Sequence, residues 1–378
     1  MKYKLSDICH YRKGKVDVSL LTDDTYISTE NMIPNRGGIT KASTLPTVDS
    51  TQLYKKGDIL VSNIRPYFKK IWQATCDGGC SNDVLVFQAN EGFDQDYLYY
   101  VLSDDAFFAY AMKTSKGTKM PRGDKHSIMQ YETEVCDLAT QRKIASLLKS
   151  IDSKIELNNA INNNLMQQAK TIFEAEIVNR TELPNGWKKS NLASIADYLN
   201  GLAMQNFRPN DDDQGLPVLK IKELRQGSCD ADSERCSSYI KSNYIVNDGD
   251  VIFSWSGSLL VDFWCGGICG LNQHLFKVTS TQYAPWFFYS WTNYHLAKFA
   301  AIASAKATTM GHIKRSDIEA AEVIIPSPAD YERIGALIQP LYDLCVALRL
   351  EDRKLAATRD SLLPRLLSGD IDISEAII

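Results

Sequence analysis

The 378-residue chain has no apolar run long enough to cross a bilayer, and its start, Met1-Lys-Tyr-Lys-Leu-Ser-Asp7, lacks the apolar stretch of a secretory signal. No membrane association is expected, and a cytoplasmic location is. Histidine is scarce. His10, His126, His274, His295 and His312 are the only five, and they do not cluster at ligand spacing. There is no Gly-x4-Gly-Lys-Ser/Thr phosphate loop, since Gly37-Gly-Ile-Thr-Lys-Ala-Ser43 fails the spacing. Gly-x-Gly-x-x-Gly, His-Glu-x-x-His and Gly-x-Ser-x-Gly are missing as well. So is the Asn/Asp-Pro-Pro-Tyr motif of amino-methyltransferases. No catalytic, cofactor-binding or metal-binding residue is therefore expected in this chain.

Nine cysteines, an odd number in a chain of this length, argue against a disulfide framework and for reduced thiols. Cys76-Asp-Gly-Gly-Cys80 and Cys265-Gly-Gly-Ile-Cys269 each supply only half of a zinc site, and read as glycine turns between strands. Asp211-Asp-Asp213 reads as a solvated loop. The net charge of −4 excludes a protein that coats nucleic acid indiscriminately, but leaves room for local basic patches. With 44% hydrophobic and 23% charged residues the chain is an ordinary globular one, long enough for two or more domains.

What the chain does contain is the same half twice. Gly57-Asp-Ile-Leu-Val-Ser62 matches Gly249-Asp-Val-Ile-Phe-Ser254, and Leu5-Ser-Asp-Ile8 matches Leu192-Ala-Ser-Ile195. Asn82 and Leu85 match Asn272 and Leu275; Thr118-Lys-Met120 matches Thr308-Thr-Met310; Lys143-Ile144 matches Arg333-Ile334. The shift stays near 190 residues from one end of the half to the other. Chance matches would scatter. A tandem duplication gives two copies of one folding unit around a pseudo-two-fold axis, and double-stranded DNA is the obvious two-fold partner.

Each half divides into a mixed part and a helix. Short β-type runs such as Asp58-Ile-Leu-Val-Ser62 and Val84-Leu-Val-Phe87 are separated by turn clusters, and helical stretches follow. The fold class is α+β, with two tandem pseudo-two-fold-related globular domains separated by two long antiparallel coiled-coil helices. The expected boundaries are a first domain over 1–138, a spacer helix over 139–180, a second domain over 181–328, a second spacer helix over 329–368 and a tail over 369–378. The heptad frame places Ile144, Leu147, Ile151, Asn158, Ile161, Leu165 and Ile172 in the seam of the first helix. Ile334, Leu337, Leu341, Leu344, Leu348, Leu355 and Leu362 fill it in the second. Lys154 and Gln168 weaken the first seam, and Pro340 should kink the second helix. The alternative is two amphipathic helices, each packed on its own domain.

Basic residues gather in loop-like places. Lys113, Lys116, Lys119, Arg122 and Lys125 surround a single acid, Asp124. Lys306, Thr308, Thr309, His312, Lys314 and Arg315 form the counterpart in the second copy. A further cluster holds Arg65, Lys69 and Lys70, whereas its counterpart Ser254-Trp-Ser-Gly-Ser258 carries no positive charge. These residues are the candidate DNA contacts.

In this order the motifs resemble the DNA-specificity subunits of type I restriction–modification systems. The run is Leu-x-x-Ile, Gly-Asp-Ile-Leu-Val-Ser, Thr-Lys-Met, Ala139-Thr-Gln-Arg-Lys-Ile-Ala-Ser-Leu-Leu148, then the linker Leu183-Pro-Asn-Gly-Trp187 and the whole order again, closing on Leu362-Leu-Pro-Arg-Leu-Leu-Ser-Gly-Asp370. The resemblance implies target-recognition domains that each read half of a bipartite DNA sequence, helices that set the spacing, and no catalysis in this subunit. It also implies assembly with two modification (methyltransferase) subunits and with restriction (translocase/endonuclease) subunits. S-adenosylmethionine, ATP and Mg²⁺ would sit on those partners. A scaffold or adaptor whose helices pair with another protein, without reading DNA, is the competing class.

Overall fold

The computed structural model describes residues 1–305, 311–373 and 375, and they form two compact units. The first comprises Met1–Lys154 with Leu355–Ile378, the second Ile155–Lys354.

In the first unit Lys2–Lys4 pairs antiparallel with Glu132–Glu134, which ties the two ends of the lobe together. One sheet has the order Cys9–Tyr11, Val84–Ala89, Ile59–Ser62, Ile71–Gln73, all antiparallel. A second runs Lys15–Asp17, Ser50–Tyr54, Gly78–Cys80, Tyr26–Ile27, its last pair parallel. Every residue of Ile59–Ser62 is buried. Alternate side chains of a strand point to opposite faces. Accordingly Ile59 and Val61 enter the core beneath the helices Gln95–Ser103 and Asp105–Lys113, and Leu60 enters the core shared with the second sheet.

The second unit repeats this plan. Lys188–Asn191 pairs with Glu322–Ile325, and the sheet Asp197–Asn200, Leu275–Thr279, Val251–Ser254, Leu260–Phe263 has the same strand order. Val251 and Phe253 face one core, Ile252 the other. In the smaller sheet Cys269–Leu271 again lies between a parallel and an antiparallel partner, Leu216–Leu219 and Ile245–Val246. The copies diverge at its edge. The fourth strand, Arg235–Cys236, joins the parallel partner, whereas Lys15–Asp17 joins the antiparallel one. A single helix, Pro285–Ala305, stands where the first unit has two.

The repeated Gly-Asp dipeptide has a structural cause. Gly57 and Gly249 hold φ of 91° and 90°, where an L side chain is strained. Their amides donate to Ala74 O and Trp264 O at 2.8 and 2.7 Å. Asp58 and Asp250 accept the amides of Lys55 and Asn247, which closes the turn into the buried strand.

The long helices are Leu138–Phe173, followed by a π-helical turn over Glu174–Val178, and Pro328–Leu367. The second runs unbroken through Pro340. The helices meet in antiparallel fashion. In the first unit Ile144, Ala145 and Leu148 share a core with Leu363, Leu366 and Leu367, and Arg359 pairs with Asp152 at 2.7 Å. In the second Asn158 Nδ2 donates to Glu351 and Asp352 at 2.8 and 2.7 Å, Cys345 Sγ contacts Asn162 O, and Arg333 pairs with Glu176.

The seam corrects the heptad frame. Ile144, Asn158 and Ile334 are buried, but Leu337 and Leu344 are 48% and 44% exposed. The buried row consists instead of Ile338, Tyr342 and Cys345 on the second helix, and of Leu148, Asn162, Ala169 and Phe173 on the first. Both rows lie one residue beyond the expected positions. Leu147, Ile151, Ile161, Leu165, Ile172, Leu341, Leu348, Leu355 and Leu362 flank them half-buried. The second lobe dictates this rotation: Tyr342 packs against Phe263 at 5.3 Å and bonds Ser290 Oγ at 3.0 Å, and Gly335 lies against the Trp286 ring. Lys154 and Gln168 then fall on the exposed face and do not interrupt the row.

Candidate nucleic-acid interface

Strand Ile59–Ser62 delivers the chain to the loop 63–70, and the basic stretch 113–125 docks on that loop. Ile64 and Arg122 form a β-bridge, Arg65 N donates to Pro121 O at 2.8 Å, and Gly123 N donates to Asn63 O at 3.0 Å. Two clusters 50 residues apart in sequence thus become one surface. The second copy builds the same joint. Ser256 and His312 bridge, Gly257 N donates to Gly311 O at 2.9 Å, and Ile313 N donates to Trp255 O at 3.1 Å. The preceding serines match as well: Ser62 Oγ bonds Ile64 O at 3.1 Å, and Ser254 Oγ bonds Ser256 O at 3.2 Å. Gly123 is required here, because a Cβ would stand 2.5 Å from Asn63 Oδ1.

The candidate side chains have different fates. Lys113, Lys116, Lys119, Arg122 and Lys125 are all exposed. Lys116 reaches Asp124 at 2.7 Å, and this ammonium, with the Ser127 amide and hydroxyl, holds the Asp124 carboxyl far below its usual range. Arg122 pairs with Asp83. Lys113, Lys119 and Lys125 meet no described carboxylate. Lys69 and Lys70 are turned to the fold instead: Lys69 pairs with Asp105 at 2.8 Å, and Lys70 donates to Thr29 O at 2.6 Å. Burial pushes the Lys70 ammonium down, which suits a structural donor better than a DNA contact. Arg65 is half-buried, at φ 50°. In the second copy Lys306, Thr308 and Thr309 lie outside the described residues. His312, Lys314 and Arg315 are exposed, and Arg315 lies 3.8 Å from Glu319 one turn on.

Other participants were invisible in the charge pattern. Arg225 brings a cation to the uncharged loop, with Nη1 3.2 Å from Ser258 Oγ. Trp255 donates to Asn200 Oδ1 at 3.0 Å, with the rings of His274 and His312 at 6.1 and 6.2 Å. A cleft of about 540 Å³ beside the first joint is lined by Asn63, Asn82, Asp83, Arg122 and Lys125, among others. One of about 550 Å³ in the second unit is lined by Arg208, Lys220, Lys222, Asn272, Gln273 and His274, among others. The pairing corrects the sequence match of Asn82 with Asn272: Ser81 N donates to Ile27 O as Asn272 N does to Leu219 O, and Ser81 Oγ and Asn272 Oδ1 accept the amides of Asp83 and His274, so Ser81 stands where Asn272 does and the two clefts open beside the same strand end.

Among the described residues no three His, Cys, Asp or Glu side chains stand together as a metal cage needs, and no helix is long and apolar enough to cross a membrane. All nine cysteines are free thiols.

Comparison with known proteins gives a consistent answer. The chain is 25% identical over 356 residues to the type I restriction enzyme MjaIX specificity subunit of Methanocaldococcus jannaschii, covering 86% of this chain and 80% of that one. It is 19% identical to the HindI specificity subunit of Haemophilus influenzae, covering 98% and 99%. The crystal structure of the type I restriction–modification S subunit from M. genitalium has the same fold, with a TM-score of 0.60 at 13% identity over 97% of this chain and 96% of that one. The family model for the type I restriction modification DNA specificity domain matches twice, over residues 1–167 and 184–355. The duplicated lobes, the long helices and these two matches together show that the chain belongs to the type I restriction modification DNA specificity family.

Proposed function

We propose that this chain is the DNA-recognition subunit of a type I restriction–modification complex, in which each unit reads one half of a bipartite double-stranded target. The observation that carries this reading is the duplicated joint. Ile64 with Arg122 and Ser256 with His312 form the same bridge in both copies, yet present different side chains on it. A conserved frame with divergent tips is what two readers of unlike half-sites require. The chain carries out no chemistry of its own in this proposal. It docks two methyltransferase subunits and, for cleavage, restriction subunits, which hold S-adenosylmethionine, ATP and Mg²⁺. The assembly works in the cytoplasm.

Lys116, Lys119 and Arg122 bring phosphates to the first unit. Each lost phosphate contact lowers the slope of log affinity against log salt by roughly 0.9. Replacing all three with Ala should therefore weaken binding by the assembled complex and lower that slope by roughly 2 to 3. An unchanged slope and affinity across a salt series would count against the reading.

A further inference from the structure

Among the described residues only four other than glycine hold a positive φ: Asn35 at 56°, Arg36 at 61°, Arg65 at 50° and Lys69 at 50°. All four meet in one place. Asn35 N donates to Phe68 O at 2.8 Å and Arg36 N to Lys69 O at 2.9 Å, which fixes the far end of the loop 63–70. Arg65 and Lys69 bracket a single 3₁₀ turn, Pro66–Phe68, closed by Phe68 N to Arg65 O and Lys69 N to Pro66 O at 2.9 Å each. Arg36 anchors the assembly on the helices behind it, donating to Ser103 O at 2.7 Å and pairing with Asp105, and Lys69 meets the same carboxylate. Left-handed backbone is unfavourable for residues that carry a Cβ. It persists where the surroundings over-determine it, and such positions gather at functional sites.

What this rigid turn presents is an aromatic ring. Tyr67 is 48% exposed at its apex, with the Phe68 ring 4.6 Å away and Pro66 buried. Met120 is 56% exposed and precedes Pro121, whose carbonyl accepts the Arg65 amide. Neither Tyr67 nor Met120 belongs to a hydrophobic core. The exposed cations Lys116, Lys119 and Arg122 come from the same docked stretch. The second copy lacks the device. Its loop runs over 255–259 and is three residues shorter. Gly257, at φ 63°, holds the left-handed corner where Arg65 stands, and Leu259 packs inward on the core.

We infer that Tyr67 is a wedge: the first unit inserts this ring at one base step of its half-site, while Lys116, Lys119 and Arg122 hold the phosphates around it. This inference rests on the DNA-recognition reading above. An apolar group driven between base pairs unstacks them and kinks the duplex. An aromatic ring returns part of the lost stacking. The deformation is least costly at a pyrimidine–purine step. The first half-site therefore carries TA or CA/TG at the wedged step, selected without a bond to a base edge.

The test uses the full chain assembled with its methyltransferase partner, and a duplex carrying the methylated motif with a dye at each end, so that energy transfer reports the kink. Tyr67→Ala should lower affinity about tenfold, the size of one stacked base, and lengthen the end-to-end distance. The slope of log affinity against log salt should stay at its wild-type value, because no phosphate contact is removed. Tyr67→Phe should keep both affinity and kink. A nick moved step by step along the duplex should recover the affinity of the Tyr67→Ala complex at a single pyrimidine–purine step of one half-site. A wild-type melting temperature for Tyr67→Ala checks that the exposed substitution leaves the fold intact. Wild-type affinity and kink in Tyr67→Ala overturn the inference. So does an equal loss in Tyr67→Phe, which assigns the hydroxyl instead, or a nick scan that recovers affinity at no step. A wild-type complex that binds the motif no better than a scrambled duplex overturns the DNA-recognition reading itself.

Discussion

Asp58 and Asp250 stand at the same place in the two copies, yet they neutralise different cations. Asp58 is 3% exposed and bonds the guanidinium of Arg12 through both oxygens, whereas Asp250 is 24% exposed and meets Lys277 at 2.7 Å. Removing one partner of a buried pair leaves an uncompensated charge, a loss of about 3–5 kcal/mol, while a more hydrated pair loses less. Asp58→Ala should therefore lower the melting temperature several degrees further than Asp250→Ala; equal losses would contradict the role given to burial. The aspartate was readable from the repeated Gly-Asp dipeptide. Its cations were not, because Arg12 comes from a preceding strand edge and Lys277 from a following one. Asp213, read from sequence as part of a solvated loop, is a second case. Its carboxylate accepts the Ser238 and Ser237 hydroxyls and the Gly215 and Ser238 amides. The Ser238 hydroxyl is the largest of the causes that lower its pKa from 3.8 to about 2. A folded pKa below the unfolded one contributes stability that is complete above the unfolded value and disappears as pH falls through the folded one. Wild type should thus be more stable than Asp213→Asn at pH 6, with the difference closing between about pH 4 and pH 2. Denaturation curves that stay parallel over that range would refute this.

At the scale of the element, the long helices show what a periodic pattern can and cannot specify. Their existence and their pairing follow from the heptads and, in the first helix, from the absence of glycine. Which of two neighbouring apolar rows faces inward does not. Leu337, Leu341, Leu344 and Leu348 form one row on the second helix, and Ile338, Tyr342 and Cys345 form another directly beside it. The decision is made by residues far away in sequence, namely Phe263, Trp286 and Ser290 of the second lobe. Large-to-small changes in a core cost about 2–5 kcal/mol, and exposed changes usually less than about 0.5 kcal/mol. Ile338→Ala should therefore destabilise the second unit strongly, and Leu337→Ala hardly at all, in urea unfolding. The reverse order would restore the original heptad frame. The candidate interface was legible to a similar depth. Charge located the loop 113–125, but only the β-bridge to Ile64 shows what it docks on, and only three-dimensional pairing removes Lys69 and Lys70 from the set.

At the scale of the molecule, the chain does not divide where its sequence repeat does. The second unit is one continuous stretch, Ile155–Lys354, whereas the first needs the C-terminal segment beginning at Leu355. Leu363, Leu366 and Leu367 are 5%, 3% and 9% exposed within the first unit's core, and Arg359 answers Asp152 there. Burying a leucine is worth about 1.5–3 kcal/mol, so three contribute roughly 5–9 kcal/mol. That is the size of a whole domain's net stability, about 5–15 kcal/mol. A fragment of residues 1–154 should accordingly fail to unfold cooperatively by itself, while 155–354 should do so. Adding a peptide of residues 355–378 should restore a cooperative transition to the first fragment, with a midpoint that rises with peptide concentration, because an agent that binds only the folded form stabilises it by mass action. Leu363→Ala with Leu366→Ala in the peptide should remove the effect. Cooperative unfolding of residues 1–154 without the peptide would show that the closing helix is dispensable to the first lobe, and that the termini of this chain are joined for some reason other than stability.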